Sequence, residues 1–426
     1  MHSVPYSLAA ASLAAACLCG RGTTASQAGS QSQFPQGLPT DPSFFPIGVW
    51  LQAPERAAEY RAIGVNLYVG LWRGPTEEQL AELGQHDMKV ICAQNEVGLR
   101  HLDNPTIFAW MHGDEPDNAQ SMERHWRNDA AAANAAWPGI EPKTLQEWGT
   151  WGPPIPPDEI VADYQRLRRR DPSRPVFLNL GQGVAWDSWH GRGIRTNHPE
   201  DYPEYIAGCD IVSYDIYPVN SSHADVQDQL WRVPFGVQRL RRWSNDEKTV
   251  WNVIECTQYG GHGRRPTPEE VRAQAWMSLV AGSRGLIYFV HEFAVKDSAG
   301  TEIRPFTEAG LLRDQDMARA VGALNHQIHA LAPVLNTPTV TDAASIQTAG
   351  DTDRIDAMVK RLDGITYLFA VNTRPDSAQA TFRLRDVHAD RAALIDDQRE
   401  LPVDNGTFTD VFGAYAVHLY RIAPQE

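Results

Sequence analysis

Short apolar runs alternate with amphipathic segments over residues 44–335. Each run is a few residues long and apolar throughout, which is typical of strands buried on both faces of a parallel sheet. Eight runs follow this pattern: Pro46–Leu51, Gly64–Leu71, Met88–Ala93, Ile107–His112, Pro175–Leu180, Cys209–Ile216, Thr249–Ile254 and Gly285–Val290.

The segments between the runs favour helices. Ala53–Ile63, Asp158–Arg170 and Glu269–Ala281 have helical patterns, and Thr76 can cap a further helix at its N-terminus. Eight strands alternating with helices predict parallel β/α units. No GxGxxG motif follows the first run, and eight strands suit closure, so we expect an α/β fold of the (β/α)8 TIM barrel type.

The pattern changes after Pro333. Short alternating segments follow, at Ile355–Lys360, Thr366–Asn372, Ala380–Leu384 and Ala414–Arg421. Asp-Gly at 363–364 and Asn-Gly at 405–406 are typical of hairpin turns. The chain is therefore expected to contain a leader over 1–43, the barrel over 44–335 and a small antiparallel β-sandwich over 336–426.

The first residues have the pattern of a secretory signal. Residues 6–19 form a short apolar run rich in Ala, and Ala14–Ala16 offers a small-residue cleavage site. We expect a signal peptide, a flexible linker and export to the periplasm or the extracellular space. A lipoprotein site at Cys17 is an open alternative. No other stretch is long and apolar enough to predict a membrane span.

Composition narrows the classes of partner. The 426 residues are 42% hydrophobic, which excludes a mainly disordered chain, and the net charge of −15 argues against a nucleic-acid partner. Thirteen Trp residues suit a carbohydrate partner. The chain has no CxxC or HExxH motif, so we predict no metal and no cofactor. We expect Cys92, Cys209 and Cys256 to be buried structural residues; the oligomeric state is left open.

Polar and aromatic residues follow most of the predicted strands. The carboxyl ends of barrel strands carry the active site in this kind of fold. Carboxylates and tyrosines there could bind sugar hydroxyls, and aromatic faces could stack on sugar rings. The candidates from these positions are Trp72, Glu96, Asp114, Glu115, Tyr214, Asp215, Tyr217, Trp186, Glu255, His291 and Glu292. The long connection after the fourth strand adds Trp148 and Trp151 as candidate sugar subsites.

Two of these carboxylates have a familiar arrangement. Glu115 ends the motif Trp-Met-His-Gly-Asp-Glu after the fourth strand, and Glu255 ends Trp-Asn-Val-Ile-Glu after the seventh. This resembles the clan A glycoside hydrolases, TIM-barrel retaining glycosidases with a C-terminal β-sandwich. The resemblance implies Glu115 as acid/base and Glu255 as nucleophile in the hydrolysis of β-glycosidic bonds. Many clan members have Asn where this chain has Asp114.

Two other hypotheses compete with this one. Asp114 and Asp215, after the fourth and sixth strands, would suit an α-glycosidase of another barrel clan. A catalytically silent carbohydrate-binding barrel is the third hypothesis. In a retaining glycosidase the two carboxyl groups stand about 5–5.5 Å apart across the sugar. The positions of these carboxyl groups in the folded chain therefore bear on the choice.

Overall fold

A computed structural model describes residues 41–261, 263–348, 354–395 and 397–425. The predicted signal peptide and Cys17 lie outside the described residues. Within the described part, no helix combines the length and apolar character needed to cross a membrane. Cys92, Cys209 and Cys256 are buried free thiols, as predicted.

Parallel strands form a closed barrel. The seventh strand is in two segments, separated by Trp251: the first pairs with the sixth strand and the second with the eighth. The eighth strand also pairs with the first, which closes the ring. The strands span Ile47–Trp50, Leu67–Val69, Lys89–Cys92, Ile107–Met111, Val176–Leu180, Ile211–Tyr214, Thr249–Val250 with Asn252–Glu255, and Leu286–Phe289.

Side chains fill the inside of the barrel. Val69, Ile91, Phe108, Phe177 and Trp251 are buried together there. The Trp251 ring lies 5.9 Å from the rings of both Phe108 and Phe177, measured between centroids. A packed interior is usual for this fold, so a ligand of the barrel binds at its end and not inside it.

Helices cover the outside of the barrel. The predicted Thr76 cap is present: its side chain accepts a hydrogen bond from Gln79 N, and the Gln79 side chain accepts one from Thr76 N. The α-helices span Ala57–Ala62, Glu77–Gln85, Glu96–Arg100, Ala130–Ala135, Leu145–Trp148, Pro157–Arg170, Tyr202–Ile206, Arg232–Trp243, Pro268–Val280, Gly310–Arg313 and Gln315–Leu335. Short 3₁₀ turns occupy Pro54–Arg56, Gln182–Val184, His190–Arg195 and Pro199–Asp201.

Two antiparallel sheets follow the last barrel helix. One sheet has three strands, at Ala344–Thr348, Ala378–Leu384 and Thr407–Phe412. The other has five, at Ile355–Leu362, Ile365–Asn372, Arg391–Leu394, Glu400–Pro402 and Val417–Ile422. The Asp363-Gly364 turn has positive φ at both residues, 50° and 77°, a conformation that explains the glycine.

The sandwich packs on the barrel's helical layer. Leu368, Phe382 and Phe408 belong to the core between the two sheets. On the opposite face of the five-stranded sheet, the Phe369 ring lies 5.3 Å from the Trp276 ring of helix Pro268–Val280. The sequence prediction of a TIM barrel followed by a β-sandwich is therefore confirmed at the level of the fold.

Candidate active site

A cavity of about 240 Å³ opens among the carboxyl ends of the barrel strands. Its wall combines three carboxyl groups, two amides and a group of aromatic rings. The lining residues are Trp50, Asp114, Glu115, Asn179, Gln182, Trp189, Asp215, Tyr217, Val253, Tyr259, Phe289 and Phe293. Of the candidate residues from the sequence, the cavity brings together Asp114, Glu115, Asp215 and Tyr217.

The chain turns sharply at Glu115. This residue has a φ of 44°, in the left-handed region that non-glycine residues rarely adopt. Glu115 N donates to Asn179 O at 3.2 Å, and Asn118 Nδ2 donates to Glu115 Oε2 at 2.8 Å. Just beyond the turn, buried Asp117 accepts a hydrogen bond from Gly181 N at 2.9 Å. These contacts to the fifth strand and its loop fix the turn and aim the Glu115 carboxyl into the cavity.

Asp114 is held by a chain of polar groups from neighbouring strands. Asn179 Nδ2 donates to Asp114 Oδ1 at 3.0 Å, and Ser213 Oγ donates to Asn179 Oδ1 at 2.6 Å. The surrounding protein and the nearby Asp215 charge raise the pKa of Asp114 to about 7. Asp114 therefore exchanges a proton near neutral pH while Asn179 fixes its orientation.

Glu115 and Asp215 form a carboxyl pair. Tyr217 Oη donates to Asp215 Oδ2 at 2.7 Å, while Asp215 Oδ1 receives no hydrogen bond from an N–H or hydroxyl among the described residues. The side chains of Glu115 and Asp215 interact by a hydrogen bond, in which a protonated Glu115 is the donor. Burial, followed by the charges of Asp215 and Asp114, raises the pKa of Glu115 well above its usual value. The pair therefore favours the protonated form of Glu115.

Glu255 lies outside this cavity lining. Only 1% of the residue is exposed, and the loop after the sixth strand wraps its carboxylate. Val219 N donates to Oε1 at 2.8 Å, and Asn220 donates to Oε2 from its backbone N at 3.0 Å and from Nδ2 at 2.8 Å. Burial raises the pKa of Glu255 to about 7, against the opposing effect of these hydrogen bonds. The resemblance gives Glu255 the role of nucleophile, but here its oxygens bind the loop.

Eight other candidates also lie outside the cavity lining, and five of them belong to the third to sixth strand ends and the long loop: Glu96, Trp148, Trp151, Trp186 and Tyr214. Tyr214 faces the helical layer, where its hydroxyl donates to the carbonyl of Val233. Trp148 is buried against Met122 and Trp126 within the long loop. Trp148 and Tyr214 therefore contact other parts of the protein here, and their roles as sugar contacts stay predictions.

The remaining three in this group differ in exposure. Trp186 is buried, and its ring lies 5.3 Å from that of Trp189, which does line the cavity. Trp151 is 61% exposed, away from the lining. Glu96 is the exposed first residue of a short helix whose N-cap is Asn95. A carboxylate at that place stabilises the helix end, which accounts for Glu96 without a ligand.

The candidates after the second and eighth strands lie beside the cavity. Trp72 is 46% exposed and donates from Nε1 to Glu308 Oε1 at 2.7 Å. His291 is buried beside Trp72, and the centroids of the Trp72 and His291 rings are 6.0 Å apart. Glu292 forms an ion pair with Arg265. Within the described part of the chain, no cluster of His, Cys, Asp and Glu could hold a metal ion.

Several lining residues were not among the sequence candidates. Asn179 is a polar residue inside an apolar strand, Val176–Leu180. A polar residue within such an apolar run is a sequence signal that could have identified it as a site residue. Trp189 donates from Nε1 to Asn118 Oδ1 at 3.0 Å, and Asn118 in turn contacts Glu115. Phe293 follows His291 and Glu292 after the eighth strand and lines the cavity, whereas the candidates from that strand end were His291 and Glu292.

Comparison with known proteins establishes the fold. No family model matches the chain, and no curated protein sequence matches it. Several solved structures are similar to the chain in fold. A GH42 β-galactosidase from G. stearothermophilus has a TM-score of 0.53 at 9% identity, over 89% of this chain and 98% of that one. The β-galactosidase from Rahnella sp. R3 has a TM-score of 0.53 at 10% identity, over 91% and 99%.

An α-amylase from Geobacillus thermoleovorans is also similar, with a TM-score of 0.50 at 10% identity over 90% of this chain and 99% of that one. The chain thus has the TIM-barrel fold with a C-terminal β domain seen in glycoside hydrolases. The names of these neighbours describe enzymes for different glycosidic linkages, so the shared fold does not indicate which linkage a protein with this fold would cleave.

The raised carboxyl pKa values predict how stability depends on pH. A carboxyl whose pKa is higher in the folded state binds its proton more tightly there than in the unfolded chain. Its contribution to the free energy of unfolding therefore falls as pH rises from about 4 to about 7. Asp114→Asn removes one such group and is expected to raise the melting temperature by a few degrees more at pH 8 than at pH 5. Thermal unfolding at both pH values measures this. The exposed Asp225→Asn serves as control, and an equal effect at both pH values would contradict the prediction.

Proposed function

We propose that this protein is a glycoside hydrolase in which Glu115 is the general acid. One observation carries the proposal: Glu115 lies beside Asp215 and Asp114 in a cavity lined by carboxyl groups and aromatic rings, and burial and these two charges raise the pKa of Glu115. Glycosidic cleavage needs a carboxylic acid that stays protonated near neutral pH to protonate the leaving oxygen. A neighbouring anion and a desolvated site supply that condition.

Asp215 acts through Glu115 in this proposal. Its Oδ2 accepts from Tyr217, so its Oδ1 remains as the acceptor for the Glu115 proton. Tyr217 in turn contacts Tyr259, with ring centroids 4.7 Å apart. Asp215 is therefore a positioning residue that keeps the acid in its protonated form until the leaving oxygen takes the proton.

The second carboxylate distinguishes the candidate mechanisms. A retaining β-glycosidase with Glu255 as nucleophile requires Glu255 to exchange its hydrogen bonds with Val219 and Asn220 for a position in the cavity. The α-glycosidase alternative with Asp114 and Asp215 requires no such rearrangement, because both line the cavity already. This observation favours a carboxylate other than Glu255 at the anomeric carbon.

A panel of 4-nitrophenyl α- and β-glycosides tests the function. We expect hydrolysis of at least one member, with NMR identifying the anomer that is released first. Asp114→Asn and Asp215→Asn are expected to lower kcat at least tenfold, with Asp225→Asn as the exposed control. Oligosaccharide binding without hydrolysis on any substrate would indicate the silent sugar-binding barrel and contradict the proposal.

A further inference from the structure

Three exposed aromatic rings lie beside the cavity. Trp72 is 46% exposed, and Phe293 and Phe306 are each 47% exposed. We call these three residues the aromatic platform. Exposed apolar residues that cluster mark interaction sites more often than scattered ones do.

The platform is built around a buried histidine. The His291 ring centroid lies 6.0 Å from Trp72, 6.2 Å from Phe293 and 5.8 Å from Phe306. Phe293 and Phe306 stack on each other at 6.2 Å, with 27° between their planes. His291 Nε2 contacts Leu51 O at 3.1 Å, and burial lowers the pKa of His291, so the ring is neutral at pH 7. The platform is therefore an uncharged aromatic surface.

Backbone contacts hold the platform in place. Glu292 and Thr307 exchange two backbone hydrogen bonds, of 2.9 and 2.8 Å, which close the arm that carries Phe293 and Phe306. Arg304 Nη2 donates to Gly260 O at 2.6 Å and ties this arm to the loop after the seventh strand. Such pre-ordering lowers the entropic cost of binding.

Phe293 belongs to both the platform and the cavity lining. Its ring lies 6.0 Å from Phe289 and 6.3 Å from Tyr259, both cavity residues. A ligand whose sugar occupies the cavity can therefore extend over the platform without a break in contact. This continuity makes the platform part of the same binding surface.

The platform's chemistry indicates what lies on it. Of its own side chains, only Trp72 has a hydrogen-bonding group, and that Nε1 already donates to Glu308. A second sugar would find no hydrogen-bond partner on these rings for any hydroxyl group that loses water, and it would gain only from contacts of its C–H faces. An alkyl or aryl group has no hydroxyl groups that lose water, and it gains free energy because its apolar surface is buried. Ile303, 66% exposed on the same arm, adds apolar surface.

We propose that the aromatic platform binds an apolar aglycone, an alkyl or aryl group, of the glycoside whose sugar lies in the cavity. The proposal rests on the proposed function and adds the class of leaving group. It predicts preference for glycosides of hydrophobic alcohols over oligosaccharides of the same sugar.

Calorimetric binding to the Glu115→Gln variant tests the platform without hydrolysis. The probes are methyl and octyl glucosides and galactosides of both anomers, together with 4-butylphenol, which has no sugar. We expect an octyl glycoside to bind at least tenfold more tightly than its methyl counterpart. Adding Trp72→Ala and Phe306→Ala should remove that gain, about 1.4 kcal/mol, while leaving the methyl glycoside unchanged. Val411→Ala, at a 58% exposed position on the sandwich, is the control.

The outcomes separate this proposal from the proposed function. Binding of 4-butylphenol that is lost in the double variant supports the platform even if no glycoside is hydrolysed. Equal affinity for methyl and octyl glycosides would overturn it. Tighter binding of longer cello- or malto-oligosaccharides that depends on Trp72 and Phe306 would assign the surface to sugar instead. A change of oligomeric state in the double variant, seen by sedimentation, would assign it to a second copy of the chain.

Discussion

Glu115→Gln is expected to lower kcat by about 10²–10⁴-fold on glycosides with poor leaving groups, the usual contribution of general acid catalysis. The amide has nearly the same shape as the carboxylic acid but cannot give its proton to the leaving oxygen. The loss should therefore shrink for 2,4-dinitrophenyl glycosides, whose leaving group needs no protonation. Steady-state kinetics on both substrate types measure the effect.

The same variant should be at least as stable as the wild type. Three carboxyl groups share the cavity, and the charges of Asp215 and Asp114 both disfavour ionisation of Glu115. An amide removes that repulsion, so the melting temperature at pH 8 is expected to rise while activity falls. Glu123→Gln, at an exposed position in the same loop, is the matched control. Equal losses of kcat on good and poor leaving groups would argue against the acid role.

The pH profile gives a further check of this assignment. Burial and the charges of Asp215 and Asp114 raise the pKa of Glu115 well above its usual value. The alkaline limb of kcat/KM should therefore lie well above the pH at which an ordinary glutamate loses its proton. Asp215→Asn removes the charge that helps to hold the proton, so it should move that limb to lower pH. A purely structural role for Asp215 would leave the limb in place.

The sequence predicted the barrel because its signal is local. Each strand is a continuous apolar run, and the strand-end rule then selected Asp114, Glu115, Asp215 and Tyr217, which the cavity brings together. All four follow their strand within a few residues. For these four residues the end of the strand was enough to predict the place of the side chain.

Positions that depend on distant contacts were harder to predict. Glu255 directly ends its strand, but its carboxylate is bound by backbone amides of Val219 and Asn220, which belong to the loop after the sixth strand. Trp148 packs on Met122 and Trp126 because the long loop folds into a small core of its own. No strand or helix period in the sequence encodes either contact.

Glu255→Ala is expected to lower the free energy of unfolding by about 3 kcal/mol or more, because it leaves buried hydrogen-bond donors without an acceptor. Three donors lose their partner: the backbone N–H groups of Val219 and Asn220 and the Asn220 side chain. Urea unfolding of the full chain measures the change. Glu302→Ala, at an exposed position, provides the control for loss of a glutamate.

The activity of Glu255 variants separates positioning from nucleophilic attack. Asn220 Oδ1 accepts a hydrogen bond from Tyr259 N at 3.1 Å, so Glu255, through Asn220, holds the loop that carries Tyr217 against the one that carries Tyr259. Both tyrosines line the cavity, so a positioning role predicts lower stability and raised KM together. A nucleophile predicts, in addition to the loss of stability, a loss of kcat that azide reverses in Glu255→Gly, with a glycosyl azide of opposite anomeric configuration as the product. Because azide can replace a missing carboxylate but cannot rebuild a loop, rescue would establish that Glu255 turns into the cavity when substrate binds.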